Sequence, residues 1–187
     1  MAPEPPDKTT PPESPTDQIR RLNFSSAAPS LVALLNDLFS RFDDLAQELG
    51  LEKIKTIGDC YMAAAGVPKP RNDHAVVTLT FAQGMVRVLR DVAEQTGHQI
   101  NIRIGVDSGP VVAGVIGKTK FVYDLWGDHV NTASRMESHG VPGRVHVSAA
   151  TRELARDVFA FEPRGEIDIK GKGKMSTCLL AAQVEGE

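Results

Sequence analysis

From Leu31 to Val106 the apolar residues change their period three times, and that succession restricts the chain to a layered mixture of helices and strands. Leu31, Leu34, Leu35, Leu38, Phe42, Leu45 and Leu49 recur at helical spacing, with Ser30 placed to cap the start and Gly50 to end it. Residues 51–57 and 60–65 are two short apolar runs separated by Gly58-Asp59, a two-residue hairpin signal that sets Asp59 on an exposed tip. Pro68 and Pro70 close the hairpin, and Asn72 or Asp73 opens a second helix. Its stripe, Val76, Leu79, Met85, Val86, Leu89 and Ala93, lasts until Gly97. Ile100, Ile102, Ile104 and Val106 then alternate as a half-buried strand. Further strands are predicted over 111–116, 121–126, 144–148, 166–170 and 176–182, with helices over 128–138 and 149–158. No internal repeat is present. This order predicts a sheet covered by helices with some antiparallel pairing.

The N-terminal end has a different composition. Residues 1–16 hold six of the 12 prolines and, apart from Met1 and Ala2, no apolar residue, so they cannot bury enough surface to offset their ordering entropy. The division expected is a Pro-rich disordered tail over 1–23 and one domain over 24–187. A chain of 187 residues, 24% charged and 41% hydrophobic, has room for one such core without disulfides. Cys60 and Cys178 lack CxxC spacing, which favours a reducing, cytoplasmic setting. A net charge of −3 and a pI near 6.0 supply no basic stripe for nucleic acid, while leaving room for a small basic site for one nucleotide. No run approaches the roughly 18 apolar residues of a membrane span, and residues 1–16 have no signal-peptide core, so neither membrane insertion nor secretion is expected.

The stretch from Tyr123 to Ser138, YDLWGDHVNTASRMES, carries the most chemistry. Asn131 and Arg135 lie four apart at the start of a predicted helix and so share one face. An amide and a guanidinium just past a strand end can hold phosphate oxygens, with Arg135 stabilising charge that develops in phosphoryl transfer. The competing reading is a surface ion pair of Arg135 with Glu137 or Asp128, which stabilises little.

This run, with Glu52-Lys53-Ile54-Lys55-Thr56-Ile57-Gly58-Asp59-Cys60-Tyr61-Met62, resembles the catalytic domain of the class III nucleotidyl cyclases, specifically adenylate cyclases. The resemblance extends from about Ser30 to the end and takes in Arg103-Ile104-Gly105-Val106, residues 108–117, Arg164-Gly165 and Lys170-Gly171-Lys172-Gly173. It implies an α/β (α+β) fold, a ferredoxin-like sandwich in which helices pack on a mixed sheet. It also implies active sites between two head-to-tail domains, hence a homodimer or a heterodimer with another cyclase domain.

By the same resemblance Lys55 and Asp124 match the pair that reads the purine. An ammonium donates to adenine N1 and a carboxylate accepts from the 6-amino group, whereas guanine presents the opposite pattern. Guanylate cyclases resemble one another in using Glu and Cys there, so ATP is the implied substrate; an unmatched buried polar group costs about 1 to 3 kcal/mol. Asn131 and Arg135 match the residues that position the ribose and stabilise the α-phosphate in the transition state. Lys170 matches the lysine that holds the terminal phosphates, although a solvated basic loop of Lys170, Lys172 and Lys174 also explains that run. Asp59 matches one of two aspartates that bind a pair of Mg²⁺ or Mn²⁺ ions.

The other metal aspartate, carried in the family by an apolar first strand, is missing here. Residues 12–24 occupy its place with two prolines and no apolar run before Asp17, which is a poor substitute. A two-metal site needs both carboxylates. A non-catalytic nucleotide-binding or dimerisation module, or a heterodimer partner, is therefore the alternative to an autonomous adenylate cyclase; a guanylate cyclase conflicts with Lys55 and Asp124. Gly114 to Thr119 is not a P-loop, because Val112 stands where the motif needs glycine. The five histidines show no ligand spacing and read as surface or loop residues, and Phe121, Tyr123 and Trp126 read as core.

Overall fold

The computed structural model describes residues 28–97, 100–169 and 171–182, with side chains from Leu31 onward. The chain divides into two compact units, Met1–Asn36 and Asp37–Glu187. Of the first, only residues 28–36, the opening turns of a helix, are described, and the second contains every element discussed below. The missing metal-aspartate motif and Asp17 fall outside the described residues.

Helix α1 (Ala28–Leu49) begins two residues before the expected cap, so Ser30 lies within the helix and Pro29 occupies its first turn, where a proline costs no hydrogen bond. Gly50 ends it with φ 69, and the amide of Leu51 returns to the Ala46 carbonyl at 2.8 Å. Strands β1 (Glu52–Ile57) and β2 (Cys60–Ala64) form the antiparallel hairpin expected around Gly58-Asp59. Only Gly58 takes a positive φ, 60, so the turn needs just its first residue to be glycine. Helix α2 (His74–Thr96) closes with Gly97 in the left-handed conformation. Its Gly84 lies against α1 so closely that a Cβ there would sit 2.4 Å from Leu45 Cδ2.

Tyr61 on β2 centres an aromatic cluster with Phe39, Phe42 and Phe81, at ring separations of 5.6, 5.6 and 6.2 Å. Its hydroxyl donates to Asp43 at 2.7 Å, and burial together with that bond pushes the phenol pKa well above its ordinary range. Phe42 is 1% exposed; truncating it to alanine would cost about 3 to 5 kcal/mol.

The remaining strands are β3 (Ile104–Val106), β4 (Val112–Ile116), β5 (Val122–Trp126), β6 (Val145–Ser148), β7 (Phe161–Ile169) and β8 (Gly173–Leu180). Helices α3 (Asp128–Ser138) and α4 (Ala149–Ala155) lie between them. The described strands fall into three sheets: the β1-β2 hairpin, the β4-β5 hairpin and a mixed sheet of order β3-β6-β8-β7. In the last, β3 runs parallel to β6 and the other pairs are antiparallel. All four residues of β6 are buried. Among the described residues β2 pairs only with β1, and β3 only with β6.

Four expected boundaries differ by three residues or more, and one is the start of β8, which begins at Gly173 rather than residue 176. The strand predicted from Ile100 is regular only over Ile104–Val106, and the helix after β6 stops at Ala155 rather than residue 158. Strand β7 starts at Phe161, five residues before the predicted start, despite Pro163. It is an edge strand, where a proline forfeits no ladder bond, and Arg164 is accommodated as an extra residue between Pro163, opposite Cys178, and Gly165, opposite Thr177.

Candidate active site

Strand β1 carries a bulge. Lys53 faces Ala63 and Lys55 faces Met62, so Ile54 is one residue more than β2 can match. In a regular strand Lys53 and Lys55 would share a face; the extra residue sends them to opposite faces. Lys53 turns to α1, where its Nζ is 2.6 Å from Asp43 Oδ2 and 5.2 Å from the centre of the Tyr61 ring. Lys55 turns to β5, and its Nζ is 2.5 Å from Asp124 Oδ2. The other oxygen of Asp124 accepts the Leu125 amide at 2.8 Å, which fixes the plane of the carboxylate. Lys55 first, and that amide second, hold the Asp124 carboxyl below the usual carboxylate range. A fixed acceptor and a fixed donor side by side are what reading the edge of a purine requires.

Asn131 and Arg135 are both exposed on α3, on the side away from the buried Thr132 and Met136. The surface-pairing alternative does not hold. Glu137 binds Arg103 at 2.9 Å and Asp128 binds Lys172, so the two carboxylates proposed for Arg135 are engaged elsewhere. Among the described residues the Arg135 guanidinium has no ion pair, and it is available to an anion. No hydrogen bond or ion pair joins the Lys55–Asp124 pair to the Asn131–Arg135 face among those residues.

The position of α3 is set from below. A Cβ on Gly105 would lie 2.0 Å from the Glu137 amide nitrogen and 2.5 Å from the Ala133 carbonyl oxygen, so β3 meets the helix backbone directly. At the C-terminal end, where helix carbonyls lack partners, the buried His146 donates from Nδ1 to the Met136 carbonyl at 2.7 Å, and Arg164 donates to that of His139. The Arg164 bulge in β7 thus does for α3 what the Ile54 bulge does for Lys55.

Asp59 stands exposed at the β1-β2 tip. Lys170 lies outside the described residues. Two expectations fail here. Phe121 is 76% exposed and Trp126 37%, so these aromatics are not core. His146 is fully buried and His129 is held by Asp107, so neither is an idle surface or loop residue. The importance of Asp107, His129 and Arg164 was not visible along the chain, because their partners lie 18 or more positions away. Both cysteines are free, Cys60 exposed and Cys178 buried.

Residues 18–182 match the model of the adenylate and guanylate cyclase catalytic domain. The chain belongs to this family. It is 46% identical over 157 residues to an adenylate cyclase of Mycobacterium tuberculosis, covering 83% of this chain and 35% of that protein. It is 48% identical over 152 residues to the soluble guanylate cyclase subunit beta-2 of Rattus norvegicus, covering 80% of this chain and 22% of that one. The chain therefore spans about a third or less of the length of these relatives. Among solved structures, the guanylate cyclase domain of RhGC from Catenaria anguillulae in complex with GTP superposes with a TM-score of 0.80 at 38% identity, covering 88% of this chain and 90% of that one. The α+β architecture is thus that of a class III cyclase catalytic domain, and its relatives include cyclases of both nucleotides.

Class III cyclases generally use divalent metal ions. Among the described residues of this cyclase domain no three His, Cys, Asp or Glu side chains cluster to hold one. Asp59 offers a single hard oxygen donor, suited to Mg²⁺ or Mn²⁺ but short of a complete ligand set. No helix among the described residues is long and apolar enough to cross a membrane.

Proposed function

We propose that this domain, spanning residues 24–187, is an adenylate cyclase, a lyase that converts ATP to 3′,5′-cyclic AMP and pyrophosphate between two copies of itself. The observation that carries this reading is the Lys55–Asp124 pair at 2.5 Å, with the carboxylate pinned by the Leu125 amide. Lys55 donates to adenine N1, and Asp124 accepts from the 6-amino group. Guanine, with a donor at N1 and an acceptor at position 6, would meet like groups at both points. Asn131 orients the ribose and Arg135 stabilises the negative charge that grows on the α-phosphate. The 3′-hydroxyl oxygen forms a bond to the α-phosphorus as it gives up its proton, the bond from that phosphorus to the bridging oxygen breaks, and pyrophosphate leaves carrying that proton or releasing it to solvent. Lys170 is assigned to the terminal phosphates and Asp59 to the divalent metal, with no step derived through the metal. Because no hydrogen bond or ion pair joins the purine pair to the α3 pair among the described residues, they are read as opposite halves of a site completed across a dimer.

A second reading has its own support: among the described residues no three potential metal ligands cluster and Asp59 alone is assigned to the metal, so the chain can serve as the heterodimer partner of another cyclase domain. Cyclic nucleotide formation from ATP and from GTP, with Mn²⁺ at a protein concentration that permits dimerisation, separates these. Cyclic AMP as the main product, lowered about 10² to 10³-fold by Arg135→Ala, is expected. No product despite ATP binding, with turnover restored by a second cyclase domain, would replace the homodimer by the heterodimer; preference for GTP would overturn the substrate assignment.

A further inference from the structure

Helix α3 is weakly closed where its function is greatest. Its N-cap is Gly127, which offers no side chain to the free amides, and the first backbone bond, from the Asn131 amide to the Gly127 carbonyl, is stretched to 3.5 Å. Helix starts without a capping side chain fray, and Asn131 is on that turn. Two of the three residues between Gly127 and Asn131 are held from outside the helix. Asp128 is bound by Lys172 from the β7-β8 turn, and His129 Nδ1 is 2.8 Å from Asp107 Oδ2 at the end of β3.

The second anchor is itself fixed. The Asp107 side chain is 2% exposed, and its other oxygen accepts from Ser148 Oγ at 2.5 Å. Ser148 caps α4 through the Thr151 amide, and Thr151 Oγ1 donates to Ser108 Oγ at 2.9 Å. The imidazole covers Gly109 so closely that a Cβ there would lie 2.1 Å from the ring. The carboxylate is an acceptor, so Nδ1 carries the proton. At about 100° per residue His129 lies roughly 200° around the helix from Asn131, so it faces the protein while Asn131 faces out.

We propose that His129 is a positioning residue: through its Nδ1–H bond to the buried Asp107 it replaces the missing cap, and sets where Asn131 meets the nucleotide. This rests on the cyclase reading for its effect on turnover, but not for its effect on the helix. The test compares His129→Asn, whose amide donor lies near the Nδ1 position, with His129→Gln, whose donor lies near Nε2, by steady-state kinetics with ATP and by hydrogen exchange of the α3 amides. His129→Gln is expected to lower kcat at least about 10-fold with KM for ATP within about twofold, and to speed exchange in the first turn of α3 alone. His129→Asn is expected to keep kcat within about threefold of the native value and to keep the protection. Equal loss in both variants, or unchanged first-turn exchange in His129→Gln, would overturn the assignment. Altered exchange in a protein that turns over no nucleotide would uphold the anchor and count against the cyclase reading instead.

Discussion

Lys55 and Asp124 satisfy each other within one chain, and that ammonium first, with the Leu125 amide, holds the carboxyl below the usual carboxylate range. Exchanging both, Lys55→Glu with Asp124→Cys, installs the guanylate cyclase pattern and is expected to reverse the ratio of kcat/KM for ATP and GTP, measured side by side. A single exchange leaves one partner unmatched and should weaken turnover of both nucleotides. These residues were legible in the sequence because motif and chemistry coincide at them. Asp107 and His129 were not, because a buried carboxylate at a strand end and a histidine 22 positions away show their relation only when β3 and α3 are packed together.

The elements that orient these residues carry their own irregularities. Alternation and helical period located both long helices and the β1-β2 hairpin, but neither bulge announces itself, since an extra residue in a strand looks like any other residue until the partner's register is known. At the C-terminal end of α3, His146 is held below its ordinary range by burial, with the Arg164 guanidinium adding to the effect against the bond to Met136. Unfolded, the ring titrates near 6.5; folded, it stays neutral to lower pH. Between those values the unfolded chain holds the additional proton. Stability therefore falls on acidification from neutrality, by at most about 1.4 kcal/mol per pH unit for this one group. Urea midpoints at about pH 7.5 and about pH 5.5 check this. His146→Asn, which keeps a donor toward Met136, is expected to lose less stability between the two.

At the scale of the molecule the unexplained surface is the β4-β5 hairpin. Val112, Val115, Ile116, Phe121 and Val122 are each more than half exposed, and a two-stranded ribbon with this much uncovered apolar surface is marginal without a partner. The sequence placed its aromatics in the core because periodicity reports that a residue is to be covered, not which chain covers it. A second copy of the domain is the partner that fits the proposed function. Val115→Asp together with Phe121→Ser is expected to give a folded monomer in sedimentation, with native secondary structure by circular dichroism and turnover lost. A variant that still sediments as a dimer would show that the hairpin is not the interface.

Strand β1 uses six residues where β2 uses five, and the consequence lies in counting. Everything between the bulge and the tip is one step out of phase with everything between the bulge and the root. One residue inserted between Met62 and Ala63, opposite Ile54, would remove no group assigned to the nucleotide and would disturb no residue of β5. It would nevertheless make β1 regular, bring Lys55 to the face of Lys53 on the α1 side, and separate it from Asp124. The lysine proposed to read the base is thus specified by an odd number as much as by its charge, and on that proposal a change of length in the hairpin alters which nucleotide is read while every recognisable motif residue is still in the chain.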